Sequence, residues 1–195
     1  MPEQPSSGRG AATYQRIIDA ATKEFAQYGI AGARVERIIS AARTNKAQLY
    51  GYFGNKDRLF DTIFLASLDR ITNVAPIDVD DLADWAVRLY DAYLDRPDLI
   101  RLATWARLER QPTGHLTDRH EHYDHPKLLG IAEAQSAGRV RDGNPFDVMA
   151  LVIAMSMAWS PVSNVYAATA DEPAEVHDER RALLRDSVRR AVAPQ

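Results

Sequence analysis

A short polar and aromatic run carries the chemistry needed to read double-stranded DNA. Gln48 can pair with adenine through two hydrogen bonds, Lys46 can donate to guanine acceptors, and the methyl group of Ala47 can contact thymine. Tyr50 and Tyr52 follow at positions that suit phosphate contacts, which fix the register of a protein on DNA without reading its sequence. These side chains work together only if a scaffold presents them on one surface.

Two short helices joined by a tight turn provide that scaffold. Apolar residues at helical spacing predict a first helix with one buried face: Val35, Ile38, Ile39 and Ala42. Asn45 offers a capping side chain for a second helix, and Leu49 and Phe53 face back into the core. The pattern predicts a helix-turn-helix with its recognition helix at Asn45–Tyr50.

The run NKAQLYGYF at 45–53, followed by GNKD at 54–57, resembles the TetR family of bacterial transcriptional regulators. The similarity extends back through IIDAA at 17–21 to Phe25 and Gly29, so it covers roughly the first third of the chain. It combines the recognition helix with the upstream helix and the downstream lysine, and is therefore more specific than a helix-turn-helix pattern alone.

Two positions depart from the family pattern. Ala33 stands where the family usually has a threonine, so the capping hydroxyl of the next helix is missing. Arg43 stands where the turn usually has glycine, and a positive φ there would strain the backbone.

The residues and the resemblance together define a predicted DNA-binding set. Lys46, Ala47 and Gln48 would meet base edges, and the arginines, Thr44, the tyrosines and Lys56 would meet the phosphate backbone. The full set is Arg34, Arg43, Thr44, Asn45, Lys46, Ala47, Gln48, Tyr50, Tyr52 and Lys56.

The charge of the chain is distributed unevenly. The net charge of -3 over 195 residues is unusual for a DNA-binding protein. Residues 1–60, however, hold nine Lys and Arg against five Asp and Glu, a net +4, while the rest holds fifteen against twenty-two, a net -7. A basic head on an acidic body is the asymmetry expected when only the head meets phosphate.

Several classes of protein are excluded by composition. The absence of cysteine rules out disulfides and thiolate metal sites. The N-terminus lacks the apolar core of a secretory signal, and the longest apolar-rich run, Val148–Trp159, is too short to span a bilayer. We therefore expect a cytoplasmic protein that has no membrane partner.

The chain is predicted to be all-α, with a three-helix head on a larger helical body. Residues 1–12 form a flexible arm that is either plainly disordered or reaches toward DNA. Residues 13–56 form the DNA-binding domain, and 57–195 the ligand-binding and dimerisation domain. The predicted helices are 13–28, 35–42, 45–50, 56–73, 81–94, 97–111, 126–137, 146–159 and 176–192. Only the helix that begins at Lys56 is predicted to connect head and body.

The helix over 146–159 needs apolar cover on every side. Only Ser156 is polar between Val148 and Trp159, so one side is predicted to be buried in the body and another in a partner. In the TetR family the last two helices of each subunit form a four-helix dimer interface, and the resemblance implies the same here. The predicted interface residues are Ile153, Leu184 and Val188.

Aromatic and methionine side chains of the body allow two interpretations. They can line a pocket for an apolar effector, since flexible methionine beside aromatic rings suits ligands of varied shape, or they can be ordinary core. The residues concerned are Trp85, Trp105, Tyr123, Met149, Met157 and Trp159.

Metal binding and catalysis are disfavoured. The spacing of the histidines, interleaved with Asp118 and Asp124, does not place ligands on one helix face, so a solvated loop is the preferred interpretation. The histidines are His115, His120, His122 and His125. No nucleophile elbow, phosphate loop or meaningful carboxylate pair occurs, so we expect neither enzyme activity nor a cofactor.

The sequence therefore predicts a homodimeric DNA-binding regulator, a ligand-responsive repressor that binds a palindromic operator. Its partners would be operator DNA, an unidentified small-molecule effector and a second copy of the chain. One alternative is a helical ligand-binding or enzymatic domain whose basic head is only structural. Another is a regulator that has lost its ligand and binds DNA constitutively.

Overall fold

The computed structural model describes residues 8–114 and 120–194, apart from the side chains at 9, 69–74 and 120–125. Secondary structure in this part of the chain is helical, which confirms the predicted all-α fold. The helices are α1 (Gly8–Gly32), α2 (Val35–Ala41), α3 (Lys46–Phe53), α4 (Lys56–Val74), α5 (Leu82–Asp95), α6 (Pro97–Arg110), α7 (His120–Ser136), α8 (Pro145–Ser156) and α9 (Ala174–Val192).

Two predicted helix starts are corrected. The first helix begins at Gly8, not Thr13, because the helix-favouring Ala11 and Ala12 extend it into the predicted arm, whose residues 1–7 lie outside the described part of the chain. α7 begins at His120 and carries Pro126 inside it. The predicted start of this helix is Pro126. The helix instead continues through the proline, which lacks the N–H group for one helical hydrogen bond.

The chain divides into two compact units. The first unit comprises Met1–Arg70 and Arg101–Pro112, and the second comprises Ile71–Ile100 and Thr113–Gln195. These bounds differ from the predicted domains, since most of α4 and the later part of α6 belong with the helix-turn-helix. Both α4 and α6 therefore cross from one unit to the other, whereas the sequence indicated only α4.

A break in α1 is held by the part of α6 that belongs to the first unit. Gly29 has φ 73°, so the helical hydrogen bonds are interrupted there. Glu109 accepts hydrogen bonds from the freed backbone N–H groups of Ile30 and Ala31, each at 2.7 Å. A Cβ at Gly29 would overlap the side chains of Glu109 and Trp105, so glycine is required by space as well as by φ.

The same part of α6 satisfies the other side of the break. The carbonyl oxygen of Ala26 accepts from Arg101 Nε at 2.8 Å and from Trp105 Nε1 at 3.2 Å. Arg110 forms an ion pair with Asp61 at 2.8 Å. Side chains from a distant part of the sequence therefore fix the end of α1, from which the chain continues into α2.

Glu24 on α1 holds the start of α2. The structure places the N-cap of α2 at Arg34, one residue after the predicted position Ala33, and Arg34 makes no side-chain capping hydrogen bond. The nearly buried carboxylate of Glu24 accepts instead from Arg34 N at 2.8 Å and pairs with Arg37 at 2.5 Å. The start of α2 is thus anchored to α1 rather than capped by its own residues.

The turn between α2 and α3 contains the expected strained residue. Arg43 has φ 51°, in the left-handed region that favours glycine. Beside it, the guanidinium of Arg16 on α1 donates to the carbonyl oxygen of Ala42 at 3.0 Å. The turn keeps its shape through this long-range hydrogen bond despite the strain.

The second unit is built on α5, α8 and α9. Trp85 is buried, with Nε1 donating to the carbonyl oxygen of Ala75 at 2.8 Å. On α8, Val148, Met149 and Val152 are buried, while Leu151 is 43% exposed. One side of the apolar α8 is therefore uncovered in a single chain.

No helix within the described residues combines the length and apolar character that a membrane crossing requires.

Candidate nucleic-acid interface

The predicted recognition helix forms, and its predicted apolar face is buried. The side chain of Asn45 caps α3 by accepting from Gln48 N at 2.9 Å. Leu49 and Phe53 are 0% and 1% exposed, so they fix which face of α3 points inward. Lys46, Ala47 and Gln48 are exposed as a consequence. These features confirm the predicted cap and the predicted core face of the recognition helix.

Gln48 is oriented by the turn that precedes α3. The hydroxyl of Thr44 donates to Gln48 Oε1 at 2.5 Å. This bond restricts the amide while its NH₂ group retains two donors, so less side-chain entropy is lost when it binds a base. Thr44 therefore contributes to the exposed surface of α3 by orienting the side chain of Gln48.

Lys46 is paired with a residue that the sequence analysis did not select. Its Nζ lies 3.2 Å from Glu36 Oε1, and both side chains are more than half exposed. Hydrogen bonds from the backbone of Glu36 and from Lys46 hold the pKa of the Glu36 carboxyl below its usual value. The sequence could have pointed to Glu36, because a carboxylate in the first turn of α2 lies next to the predicted DNA-binding residues.

Two tyrosines and a lysine flank the exposed face of α3. Tyr50 is 36% exposed, and the Tyr52 ring lies edge-on to Tyr14 with centroids 5.8 Å apart. Lys56 donates to the carbonyl oxygens of Ala31 at 3.3 Å and Ala33 at 3.2 Å. The ammonium of Lys56 is thus held beside the segment that leads into α2.

The remaining predicted contacts lie around α2 and the turn. The side chains of Arg34 and Arg43 are exposed, and Thr44 is half-buried. All ten predicted DNA-binding residues belong to the first unit. They lie at the N-cap of α2, in the turn, on α3 and at the start of α4.

The predicted pocket residues are divided between the units. Trp105 lies in the first unit, beside the break in α1. Trp85 and Met149 belong to the core of the second unit, with Met157 and Trp159 packed against it. The side chain of Tyr123 lies outside the described residues.

Trp159 packs against a tyrosine that belongs to a buried hydrogen-bonded pair of the second unit. Its ring contacts Tyr90 at 6.0 Å between centroids, and the hydroxyl of Tyr90 lies 2.7 Å from His177 Nδ1 in a buried hydrogen bond. His177 Nε2 and Ser160 Oγ are buried without a hydrogen-bond partner. Buried polar atoms are usually paired, so these two atoms are available to a ligand or an ordered water.

The predicted interface residues do not share one environment. Leu184 and Val188 are 3% and 0% exposed in a single chain, where they belong to the core of the second unit. Ile153 is partly buried. Leu183, which precedes Leu184 in the sequence, is 57% exposed. The helical register of α9 therefore turns Leu183 outward and Leu184 inward.

The described residues contain no cluster of His, Asp or Glu able to hold a metal ion. Of the six residues considered for such a site in the sequence, His115 and Asp118 are not described, and the side chains of the other four fall within 120–125, which are also outside the described side chains.

Two family models match the chain. The model described as "Bacterial regulatory proteins, tetR family" matches residues 17–63, and the model described as "Tetracyclin repressor-like, C-terminal domain" matches residues 81–190. The first match contains α2 and α3 in full. The second contains α5, α6, α7 and α8 together with nearly all of α9.

Relatives and solved structures agree with the family models. The HTH-type transcriptional repressor SCO4008 of Streptomyces coelicolor is 38% identical over 154 residues, which cover 77% of this chain and 79% of that protein. The HTH-type transcriptional repressor Rv1474c of Mycobacterium tuberculosis is 28% identical over 151 residues, covering 71% and 75%. The crystal structure of the putative transcriptional regulator SCO4942 from Streptomyces coelicolor superimposes with a TM-score of 0.77 at 36% identity, covering 92% of this chain and 98% of that one.

These relatives are transcriptional regulators rather than enzymes, and they do not favour a basic head that is only structural. With a capped recognition helix of exposed polar side chains, and with matches across both parts of the chain, this protein belongs to the TetR family of DNA-binding transcriptional regulators.

Proposed function

We propose that this chain is a ligand-responsive repressor that binds a palindromic operator as a homodimer in the cytoplasm. The observation that carries the proposal is the exposed face of α3, fixed by the buried Leu49 and Phe53. Lys46, Ala47 and Gln48 on that face supply donors, an acceptor and a methyl group to base edges in the major groove.

Phosphate contacts flank the base-reading residues. Arg34 and Arg43 offer exposed guanidinium groups, and Tyr50 offers a phenol on α3. Lys56, held by two backbone carbonyl groups, adds positive charge beside the start of α2. These groups position the protein on the duplex and contribute a salt-dependent affinity that is common to all sequences.

Dimerisation is proposed through the uncovered apolar side chains of α8 and α9. Leu151 is 43% exposed and Leu183 is 57% exposed, and each lies on a helix whose opposite face is buried. Ile153 lies two residues after Leu151, on another side of α8, and packs partly buried against the core. Ile153, Leu184 and Val188 therefore support the proposed face from inside the second unit. Two recognition helices about 34 Å apart would then enter successive major grooves of a near-palindromic site.

The effector is proposed to bind in the second unit. Trp159 and Met157 pack against the core, and the unpartnered Ser160 Oγ and His177 Nε2 offer hydrogen bonds. A small molecule with an apolar body and one or two polar groups satisfies both features. By linkage, an effector that weakens operator binding is itself bound more weakly, by the same factor, in the presence of operator.

A gel shift with the intergenic DNA that flanks its own gene tests the proposal. Purified protein is expected to retard a fragment containing an inverted repeat and to leave a scrambled repeat of equal length free. Gln48→Ala should weaken the preference, while Asp19→Asn on the exposed surface of α1 serves as a control that retains it. A chain that binds neither its own nor neighbouring promoter DNA would support the rival ligand-binding function.

A further inference from the structure

Glu36 is an acidic group on the surface proposed to meet DNA. It lies in the first turn of α2, and its carboxylate is 3.2 Å from the ammonium of Lys46 at the first position of α3. The Glu36 side chain is 70% exposed and Lys46 is 57% exposed, so both groups are accessible to a macromolecular ligand. The proposed contacts with bases and phosphates leave Glu36 without a role.

A structural role explains little of this pair. Ion pairs between exposed side chains contribute little to stability, because solvent screens them and two long side chains lose freedom. The hydrogen bonds that lower the pKa of Glu36 keep it ionised at neutral pH, where it can only accept hydrogen bonds. A fixed carboxylate beside DNA phosphates weakens binding to every sequence, unless a base donor compensates for the repulsion.

A G·C base pair offers a pattern that complements this ion pair. Guanine presents O6 and N7 as acceptors in the major groove, and its partner cytosine presents the N4 amino group as a donor. Guanine O6 and cytosine N4 are joined by a hydrogen bond of about 2.9 Å, so an acceptor and a donor face the groove side by side. Lys46 Nζ and Glu36 Oε1 form a donor and an acceptor at a similar spacing of 3.2 Å.

We propose that Glu36 is a specificity-determining residue, which together with Lys46 reads one G·C base pair in each operator half-site. Lys46 donates to guanine O6 or N7, and Glu36 accepts from cytosine N4. A T·A pair places thymine O4 beside the adenine amino group in the same order, but it carries a methyl group where guanine has N7, so Lys46 loses one acceptor. A C·G pair reverses the order of donor and acceptor, so Glu36 loses its donor while its charge still repels the phosphates. The inference rests on the proposed operator binding.

Selection of binding sites from a randomised duplex library tests the inference with the full-length protein. The proteins compared are the wild type, Glu36→Ala, Glu36→Gln and the control Asp19→Asn. The control removes an exposed carboxylate that is hydrogen-bonded only within α1, to Gln15, so it matches the charge change without touching the interface. Thermal unfolding of each variant verifies that the fold is retained, as expected for an exposed side chain.

The wild type should select an inverted repeat with one G·C pair preferred over its reverse, C·G, by about tenfold or more in each half-site. Glu36→Ala should reduce that preference by about fivefold, leaving the part due to Lys46, and should tighten binding to random duplexes, an effect that shrinks as salt rises. Glu36→Gln keeps a neutral acceptor and adds a donor, so it should shift the preference toward A·T. Asp19→Asn should select the wild-type repeat.

The failure of this inference is distinguishable from failure of the proposed function. If the wild type selects an inverted repeat and Glu36→Ala selects the same one with every G·C preference intact, the reading by Glu36 is wrong while operator binding stands. If the wild type selects no repeat, operator binding itself is wrong, and the inference is overturned with it.

Discussion

The two units of this protein expose opposite kinds of chemistry. In the first unit apolar side chains such as Leu49 and Phe53 are buried, and the polar Lys46 and Gln48 are exposed on a short helix. The second unit instead leaves buried polar atoms without a hydrogen-bond partner, as at His177, and exposes leucines on α8 and α9. The first arrangement suits a polyanion. The second suits an apolar protein surface outside and, inside, a ligand with an apolar body and one or two polar groups.

The largest expected effect separates the buried from the exposed side of α9. Val188→Glu places an unpaired charge in the core of the second unit and should cost about 4 kcal/mol or more, enough to unfold it. Leu183→Glu, on the exposed side, should preserve the helical circular dichroism signal but abolish dimers in light scattering.

Loss of dimers should also weaken operator binding, because a monomer reaches only one half-site. The exposed Leu129 on α7 provides a matched control, since Leu129→Glu introduces the same charge on a different helix. A Leu183→Glu protein that remained dimeric would place the interface elsewhere.

The break in α1 should show the next largest effect. Glu109→Ala leaves the N–H groups of Ile30 and Ala31 without their carboxylate acceptor and should lower the free energy of unfolding by about 1–3 kcal/mol. DNA binding should weaken as well, since this segment leads into α2. Chemical denaturation measures the stability, and Glu133→Ala, at an exposed glutamate of α7, should change it by no more than about 0.5 kcal/mol.

Two helix caps provide a sharper contrast between the units. Asn45 caps α3 and Asn144 caps α8, each by accepting one backbone N–H at 2.9 Å. Replacement of either by alanine should cost about 1 kcal/mol of stability. Only Asn45→Ala should weaken operator binding measured by fluorescence anisotropy beyond what the lost stability explains. Equal losses of DNA affinity in both variants would remove the special role of α3.

The smallest expected effect concerns the strained turn. Arg43 and Gln111 are the non-glycine residues with positive φ in the described part of the chain, at 51° and 47°. Glycine at either position should raise stability by about 0.5–1 kcal/mol. Arg43→Gly should also weaken binding to all DNA sequences alike, because it removes a phosphate contact, whereas Gln111→Gly should leave DNA binding unchanged. A thermal melt and a titration with random duplex test both parts.

Local signals predicted much of the fold. The cap at Asn45 and the core face of α3 each depend on a few neighbouring residues, and both were confirmed. Short-range chemistry is readable from sequence because the partners lie within one helical turn.

Long-range partners were not predictable in the same way. Glu109 binds backbone groups 78 and 79 residues away, and no sequence pattern announces that pairing. The register of α9 was equally hidden, since Leu183 and Leu184 are both leucines and only packing decides which one is buried. The role of α6 as a second connection between the units also depends on these distant contacts.

The central claim is that the exposed face of α3 reads DNA sequence. Fluorescence anisotropy on operator and on random duplex, at one salt concentration, gives the ratio of the two affinities for the wild type, Gln48→Ala and Tyr50→Phe. Gln48→Ala should reduce that ratio by an amount equivalent to about 1–3 kcal/mol of binding free energy. Tyr50→Phe should weaken binding to both duplexes and leave the ratio unchanged. An unchanged ratio in Gln48→Ala would contradict the proposed recognition helix.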